Sequence, residues 1–353
     1  MANKQQSAAQ RREKQRQQRS QRLQGAQNRV QSTPVASRRK PATRRRGWNQ
    51  SYMIGIVLAL LVVIVLAFVV ISHIQSTVTP PAPTSSQVFK EVTQVDPNIL
   101  SVVGTGKLQD PFKAVQGTPP ALSGPTGKPE FLYIGAEYCP FCAAERWAMV
   151  VALSRFGTFS QLYQTTSSAT DSYPSTPTFT FYPKLYKTPL YTSQYVDFVP
   201  VEETANVQNS DGTYPPLQTL TAAQLKLFST YDTPPYTDTA SARSIPFVDI
   251  ANKFVAIGLP SGFSPQDLAG MQWTSIANSL ADTSSTVSQH ILGSANYLTA
   301  GICIATGQQP GSVCSTNVIQ NIEKTLPKTA QSASGAQIAL NATLEADLRK
   351  SLW

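Results

Sequence analysis

Residues Met53 to Ile71, "MIGIVLALLVVIVLAFVVI", contain no charged or strongly polar side chain, and the uncharged stretch around them runs from Gly47 to Phe89. No other feature constrains the chain as strongly. Backbone polar groups in hydrocarbon must be satisfied within the segment itself, and a helix of about 20 apolar residues does this while crossing a bilayer. Trp48 and Tyr52 stand at the upstream boundary, where amphipathic rings favour the interface, and Arg44, Arg45 and Arg46 come just before. Basic residues on that side predict a cytoplasmic N-terminus and an extracytoplasmic remainder. A cleaved secretory signal is the competing reading. The run is longer than an ordinary signal core and sits behind a long tail, so residues 51–74 are expected to be a retained transmembrane helix, with the lipid bilayer as partner.

Charge divides at the same place. The whole chain has a formal charge of +9, but residues 1–50 hold 14 of its 29 Lys and Arg and one acid, Glu13, a balance of +13. The remainder has 15 basic and 19 acidic residues, a balance of −4. The tail, with "RREKQRQQRSQRLQ" and "RRKPATRRRGWNQ", has no periodic apolar face and is expected to be a disordered cytoplasmic segment over 1–50. Basic clusters permit contact with nucleic acid or anionic lipid. Topology alone accounts for one placed before a membrane run, so no nucleic-acid partner is expected. Residues 75–87, "QSTVTPPAPTSSQ", have the composition of an extended extracytoplasmic linker. What remains is a payload of roughly 230 to 265 residues, enough for one or two domains.

The payload reads as α/β. A short helix is expected in "DPNILSVVG", with Asp96 as cap and Pro97 in the first turn, followed by a Gly- and Pro-rich approach. Phe131 to Ile134, "FLYI", is a short apolar run bounded by turn residues, consistent with a strand buried on both faces. Ala144, Trp147, Ala148 and Val151 then recur at helical spacing, with Glu145, Arg146 and Arg155 free for the outer side and Gly157 as C-cap. Strands are expected over 161–166, 178–182 and 195–203, a helix over 221–231, and a hairpin over 244–258 around Asn252 and Lys253. A further helix is expected from about Ser264 to Leu280. Residues 321–353 form a C-terminal segment with helical periodicity.

Four cysteines admit three pairings, and the local ones, Cys139 with Cys142 and Cys303 with Cys314, are the most economical. Disulfides persist outside the cytosol, which suits the expected location. Cys139 falls at the N-cap of the expected helix with Pro140 at its first position, where unpaired N–H groups and the macrodipole favour a thiolate. This makes Cys139 the candidate nucleophile and Cys142, one turn on, the candidate resolving thiol. Pro140 and Phe141 bring no charge, so the dipole is expected to do most of the tuning. A zinc site of four cysteines is disfavoured by the ten-residue gap between Cys303 and Cys314, and a small structural disulfide remains the other alternative. No metal or cofactor is expected. Cys303 and Cys314 flank "IATGQQPGSV" and read as a structural disulfide or as a second redox relay. His290 reads as an ordinary half-buried or surface residue.

"GAEYCPFC" resembles the entry to the active site of the thioredoxin-like superfamily, with Ala136, Tyr138, Cys139 and Cys142 in matching places. Ile245 and Pro246, in "SIPFVDI", resemble that superfamily's second mark, a cis-proline after an aliphatic residue. The stretch "YIGAEYCPFCAAERWAMVVALSRFG" is similar, more narrowly, to the domain of unknown function 929 family, and the similarity spans most of residues 88–320. The resemblance implies a thioredoxin-like fold over 88–320, with a large insertion at about 167–240 between the CxxC helix and the cis-Pro strand. It implies Ile245, Pro246, Tyr138 and Phe141 as substrate-binding residues. It further implies thiol-disulfide oxidoreductase or isomerase chemistry on protein thiols or disulfides outside the membrane, with an electron partner in the membrane or envelope. The alternative is a non-catalytic envelope binding module on the same scaffold. One departure stands out: the superfamily's buried acid, six residues before the first cysteine, is replaced here by Tyr133.

Overall fold

The computed structural model describes residues 55–64 and 81–328. The described residues fall into two units, one on each side of the division between Ser76 and Thr77. In the first, residues 55–64 are helical, and their apolar side chains from Ile56 to Ile64 are exposed. Among the described residues no helix is long and apolar enough to cross a membrane. The expected crossing at 51–74 extends past 55–64 on both sides, outside the described residues, as do the basic tail and the chain beyond 328.

In the second unit β1 (Ala82–Pro83), α1 (Ser86–Thr93), α2 (Pro97–Val103) and β2 (Phe112–Ala114) precede β3 (Glu130–Gly135) and α3 (Pro140–Ser154). The strands β4 (Gly157–Phe159), β5 (Tyr163–Thr166), β6 (Pro177–Thr180) and β7 (Tyr191–Ser193) follow, then β8 (Asp197–Glu202) and α4 (Ala222–Tyr231). The chain continues through β9 (Phe247–Ile250), β10 (Phe254–Ile257), α5 (Trp273–Ser279), α6 (Thr286–Ala305), α7 (Gly311–Cys314) and α8 (Asn317–Thr325). This is a mixed α/β unit.

Its central sheet has the order β2-β10-β9-β3-β8, with β3 parallel to β8 and antiparallel to β9. Side chains alternate across a strand, and β3 uses both faces. Phe131 and Tyr133 enter the core shared with Trp147 of α3 and Leu298 of α6, while Leu132 and Ile134 enter a smaller core with Val201, Phe247 and Phe228 of α4. That is why "FLYI" is continuously apolar. The smaller sheets β1-β5-β6 and β4-β7 lie outside this ladder.

Helix α3 departs from its expected amphipathic form. Every residue from Cys142 to Leu153 is buried, Glu145 and Arg146 included, because α3 is enclosed by the sheet, β6 and α6. Thr178 of β6 donates to the Ala143 carbonyl at 2.7 Å, the Trp147 indole donates to Pro177 at 2.9 Å, and Ser294 of α6 donates to Glu145 at 3.1 Å. The helix ends with Arg155 as C-cap, and Gly157 opens β4 instead of capping.

Two further expectations change. The end of the 75–87 linker belongs to the fold: Ala82 and Pro83 pair with Gln164 and Tyr163, Thr84 donates to the Leu162 carbonyl at 2.8 Å, and Ser85 caps α1. An edge strand tolerates the proline that a central one would not. The expected helix from Ser264 to Leu280 is broken. Ser264 and Asp267 cap only a single 3-10 turn, Gly270 takes a left-handed φ of +74°, and α5 begins afresh at Trp273. The capped helix at Pro97, the helix after Thr221 and the hairpin around Asn252 and Lys253 stand where they are expected.

Burial pushes the Glu145 carboxyl up to about 8, with the Ser294 hydroxyl opposing. A carboxyl raised in the folded state stays protonated while the unfolded chain ionises. Its stabilising effect is therefore full below the ordinary value of 4.5 and is lost as pH rises to about 8. Burial also raises Glu130 and Asp249, each to about 7, in the same direction. Urea midpoints of the wild type are expected to fall across that pH range. Glu145→Gln, which keeps an acceptor for Ser294, should flatten the slope and be the more stable protein at its alkaline end.

Candidate functional site

Strand β3 ends at Gly135, and the chain turns through Ala136, Glu137 and Tyr138 into α3. Cys139 is the N-cap, with extended backbone and its sulfur accepting the Cys142 N–H at 3.2 Å, and Pro140 occupies the first turn. Both Cys139 and Cys142 are free and buried, at 5% and 0% exposure. Over a hundred residues later, Ile245 and Pro246 lead into β9. The Ile245–Pro246 bond is cis, and the Ile245 carbonyl oxygen lies 3.7 Å from the Cys139 sulfur. Pairing of β9 with β3 brings these two distant segments together.

The thiols are driven apart in acidity. A hydrogen bond from Cys142 holds the Cys139 thiol below its ordinary value against the cost of burial, helped by backbone N–H groups of the first turn and by the Arg146 charge. Burial pushes the Cys142 thiol far up, and its bond to Cys139 adds to that. Helix-terminal N–H groups therefore act as expected, but they are not the main influence. The neighbouring thiol and a buried guanidinium join them.

Arg146 is fully buried one turn beyond Cys142. Its Nε and Nη2 donate to the two carboxylate oxygens of Glu202 at 2.9 and 2.6 Å, and Nη2 also donates to the Ala136 carbonyl at 2.9 Å. Burial alone would favour a neutral arginine, and the Glu202 carboxylate outweighs it. Glu137 lies in the same buried group, accepting from the Thr180 hydroxyl, and burial raises its carboxyl. The expectation that Arg146 faces outward is overturned. A helix that is apolar all round is enclosed, so a charge on it requires a buried counter-charge, and the acid ending the apolar strand "DFVPVE" supplies one.

Two loops pack on the cysteine turn. Tyr138 stacks on Tyr214 with ring centroids 4.3 Å apart, and Phe141, 41% exposed, meets Tyr173 edge to face at 6.0 Å. Ser168 N–H donates to the Tyr138 carbonyl at 2.9 Å, fixing the 167–176 loop against the cysteine turn. Tyr173 and Tyr214 are additions to the residues read from the sequence; nothing in their spacing marks them.

Cys303 and Cys314 form a disulfide between α6 and α7, with Cα atoms 5.5 Å apart. That pairing removes both from a four-cysteine zinc arrangement. Among the described residues no cluster of His, Cys, Asp and Glu could hold a metal ion. His290 is half-buried and pairs with Asp267 at 2.7 Å.

Residues 121–304 match the family described as domain of unknown function (DUF929). The chain belongs to the DUF929 family. No curated protein and no solved structure matches it. The DUF929 segment contains Cys139, Cys142, Ile245 and Pro246, whereas Cys314 lies beyond it, so the Cys303–Cys314 disulfide straddles its boundary.

Two outcomes follow for this DUF929 site. Iodoacetamide labelling read by mass spectrometry should modify Cys139 with a pH midpoint below the ordinary thiol value of 9.0, leaving Cys142 unmodified until the domain unfolds. In urea denaturation, Glu202→Gln should cost about 3–5 kcal/mol by leaving a buried charge unpaired, and adding Arg146→Met should recover part of that loss.

Proposed function

We propose that this DUF929 chain is a thiol-disulfide oxidoreductase on a thioredoxin-like scaffold, held by an anchor at 51–74 and facing the extracytoplasmic side. One observation carries the reading. A free thiol at a helix N-terminus, held below its ordinary acidity value, sits 3.7 Å from the carbonyl that immediately precedes Pro246. The succession of α3 directly after β3, with the β9–β10 hairpin opening at Ile245 and Pro246 later in the chain, supports it, because the resemblance to the superfamily implies a CxxC helix followed by a cis-Pro strand. Strands β6 and β7 fall within the implied insertion at about 167–240, whereas β4 and β5 precede it and β8, inside the same range, belongs to the central sheet.

In the proposed reaction the Cys139 thiolate attacks a protein disulfide. A Cys139–substrate bond forms, the substrate S–S bond breaks, and the first substrate sulfur leaves as a thiolate that takes a proton from solvent. Cys142 then loses its proton to solvent and attacks the Cys139 sulfur. The Cys139–Cys142 bond forms, and the second substrate sulfur departs and is protonated. Two electrons pass from the dithiol to the substrate. The reverse sequence oxidises a protein dithiol. Ile245 and Pro246 border the attacking sulfur, and Tyr138 and Phe141 border the entrance.

The low exposure of Cys139 favours a second reading, a binding module that meets its partner through the tyrosine pairs. Trapping separates the two. In intact membranes, Cys142→Ala should accumulate reducible adducts through Cys139 that disappear when Cys139 is also changed to Ser, and added protease should reach the 81–328 domain only from the extracytoplasmic side. Absence of adducts, together with failure of the wild type to reduce insulin, would leave the binding module.

A further inference from the structure

Two buried hydrogen-bond donors behind the cysteines have no partner. Among the described residues, the Tyr133 hydroxyl and Nη1 of Arg146 are buried and make no hydrogen bond. Both belong to fully buried side chains, and their positions are tightly set. The Tyr133 ring meets Phe181 edge to face at 5.8 Å, and the Arg146 guanidinium lies over it at 5.8 Å. A Cβ on Gly135 would fall 2.0 Å from the Tyr133 oxygen. The side chain therefore lies along β3 over Gly135, with its hydroxyl at the strand end from which the cysteine turn departs. Gly135 is the residue that leaves it room.

An unpaired buried donor is costly, and natural cores contain few. Ten side-chain atoms are buried without a partner among the described residues, and this pair is set apart by its place: Tyr133 packs in one core cluster with Cys139 and Cys142, and Arg146 stands one turn beyond Cys142, so the pair is accounted for if its acceptor exists only during turnover. We infer that Tyr133 and Arg146 are preorganised donors for the Cys142 thiolate, stabilising it in the step in which Cys142 resolves the mixed disulfide. This rests on the oxidoreductase reading above and assigns to a phenol and a guanidinium a task for which β3 carries no acid at position 133.

In that step Cys142 gives its proton to solvent, its sulfur bonds to that of Cys139, and the substrate sulfur leaves. The phenol lends its proton to a hydrogen bond and keeps it, since burial holds the Tyr133 hydroxyl well above its ordinary value. Charged and titratable groups facing Cys142 are Cys139 and Arg146 on its own helix and Tyr133 on β3, with Glu202 of β8 and Glu137 acting through Arg146. Glu145 is engaged elsewhere, by Ser294 of α6.

The test uses the reduced full-length protein and an aromatic disulfide whose thiolate is coloured, mixed in stopped flow. Attack by Cys139 releases the first coloured thiolate and resolution by Cys142 the second, so the two phases report the two sulfurs separately. Tyr133→Phe keeps the packed ring and removes only the hydroxyl. It should leave the first phase unchanged, slow the second roughly 3- to 10-fold, and move the pH midpoint of the second upward, as expected for one lost hydrogen bond to an ion partly offset by the higher nucleophilicity of a more basic thiolate. Gly135→Ala, which keeps the hydroxyl but displaces it, should slow the same phase. Unchanged second phases in both variants, or equal slowing of both phases, overturns the inference. A wild type that releases no coloured thiolate at all instead removes the oxidoreductase reading on which it stands.

Discussion

A single ion pair holds the centre of this domain together. Arg146 and Glu202 meet with no exposure to solvent, in a bidentate arrangement that compensates the loss of hydration only because its geometry is tight. The third bond, from Arg146 to Ala136, extends the pair into the turn before Cys139. One guanidinium thus locks helix α3 to the far end of β8 and fixes the chain from which the cysteine cap projects. The contacts of Cys139 with the Ile245 carbonyl and of Thr178 with the Ala143 carbonyl hold the first turn of α3 from its other sides.

The surrounding architecture repeats this economy. Strand β3 feeds both cores, so the segment that ends at the dithiol is also the segment that joins the two faces of the sheet. The hairpin β9–β10 and the parallel partner β8 arrive from distant parts of the chain, and each delivers one component: Ile245 with Pro246 on one side, Glu202 on the other. The loops at 167–176 and 204–217 then pack tyrosine rings against Phe141 and Tyr138. A buried sulfur pair, a charge behind it and an aromatic rim in front give the site its chemical direction.

Much of this was legible in the sequence where a local rule governs. The cap at Cys139 with Pro140, the helix opened by Asp96 and Pro97, the doubly buried strand and the hairpin all follow from short-range preferences. The failures are tertiary. Glu145 and Arg146 read as an outer face because helical periodicity counts them as polar, and only enclosure by β6 and α6 makes them interior. Gly270 divides an otherwise acceptable helix, since its left-handed backbone outweighs the apolar spacing on either side. Ala82 and Pro83 have linker composition but find a strand edge to join. At the site, the dithiol and Ile245 with Pro246 could be singled out by motif, whereas Glu202, Tyr214 and the role of Tyr133 depend on register between strands and on loops whose meeting no local pattern announces.

The bond between Arg146 and Glu202 joins positions 56 residues apart, both inside the DUF929 segment. Because either residue alone is an unpaired charge in a dry core, a lineage that loses one is under pressure to lose the other. The two positions should therefore vary as a unit, and their joint state offers a way to sort relatives into those that keep a charge behind the dithiol and those whose cysteines work, or rest, in a wholly apolar setting.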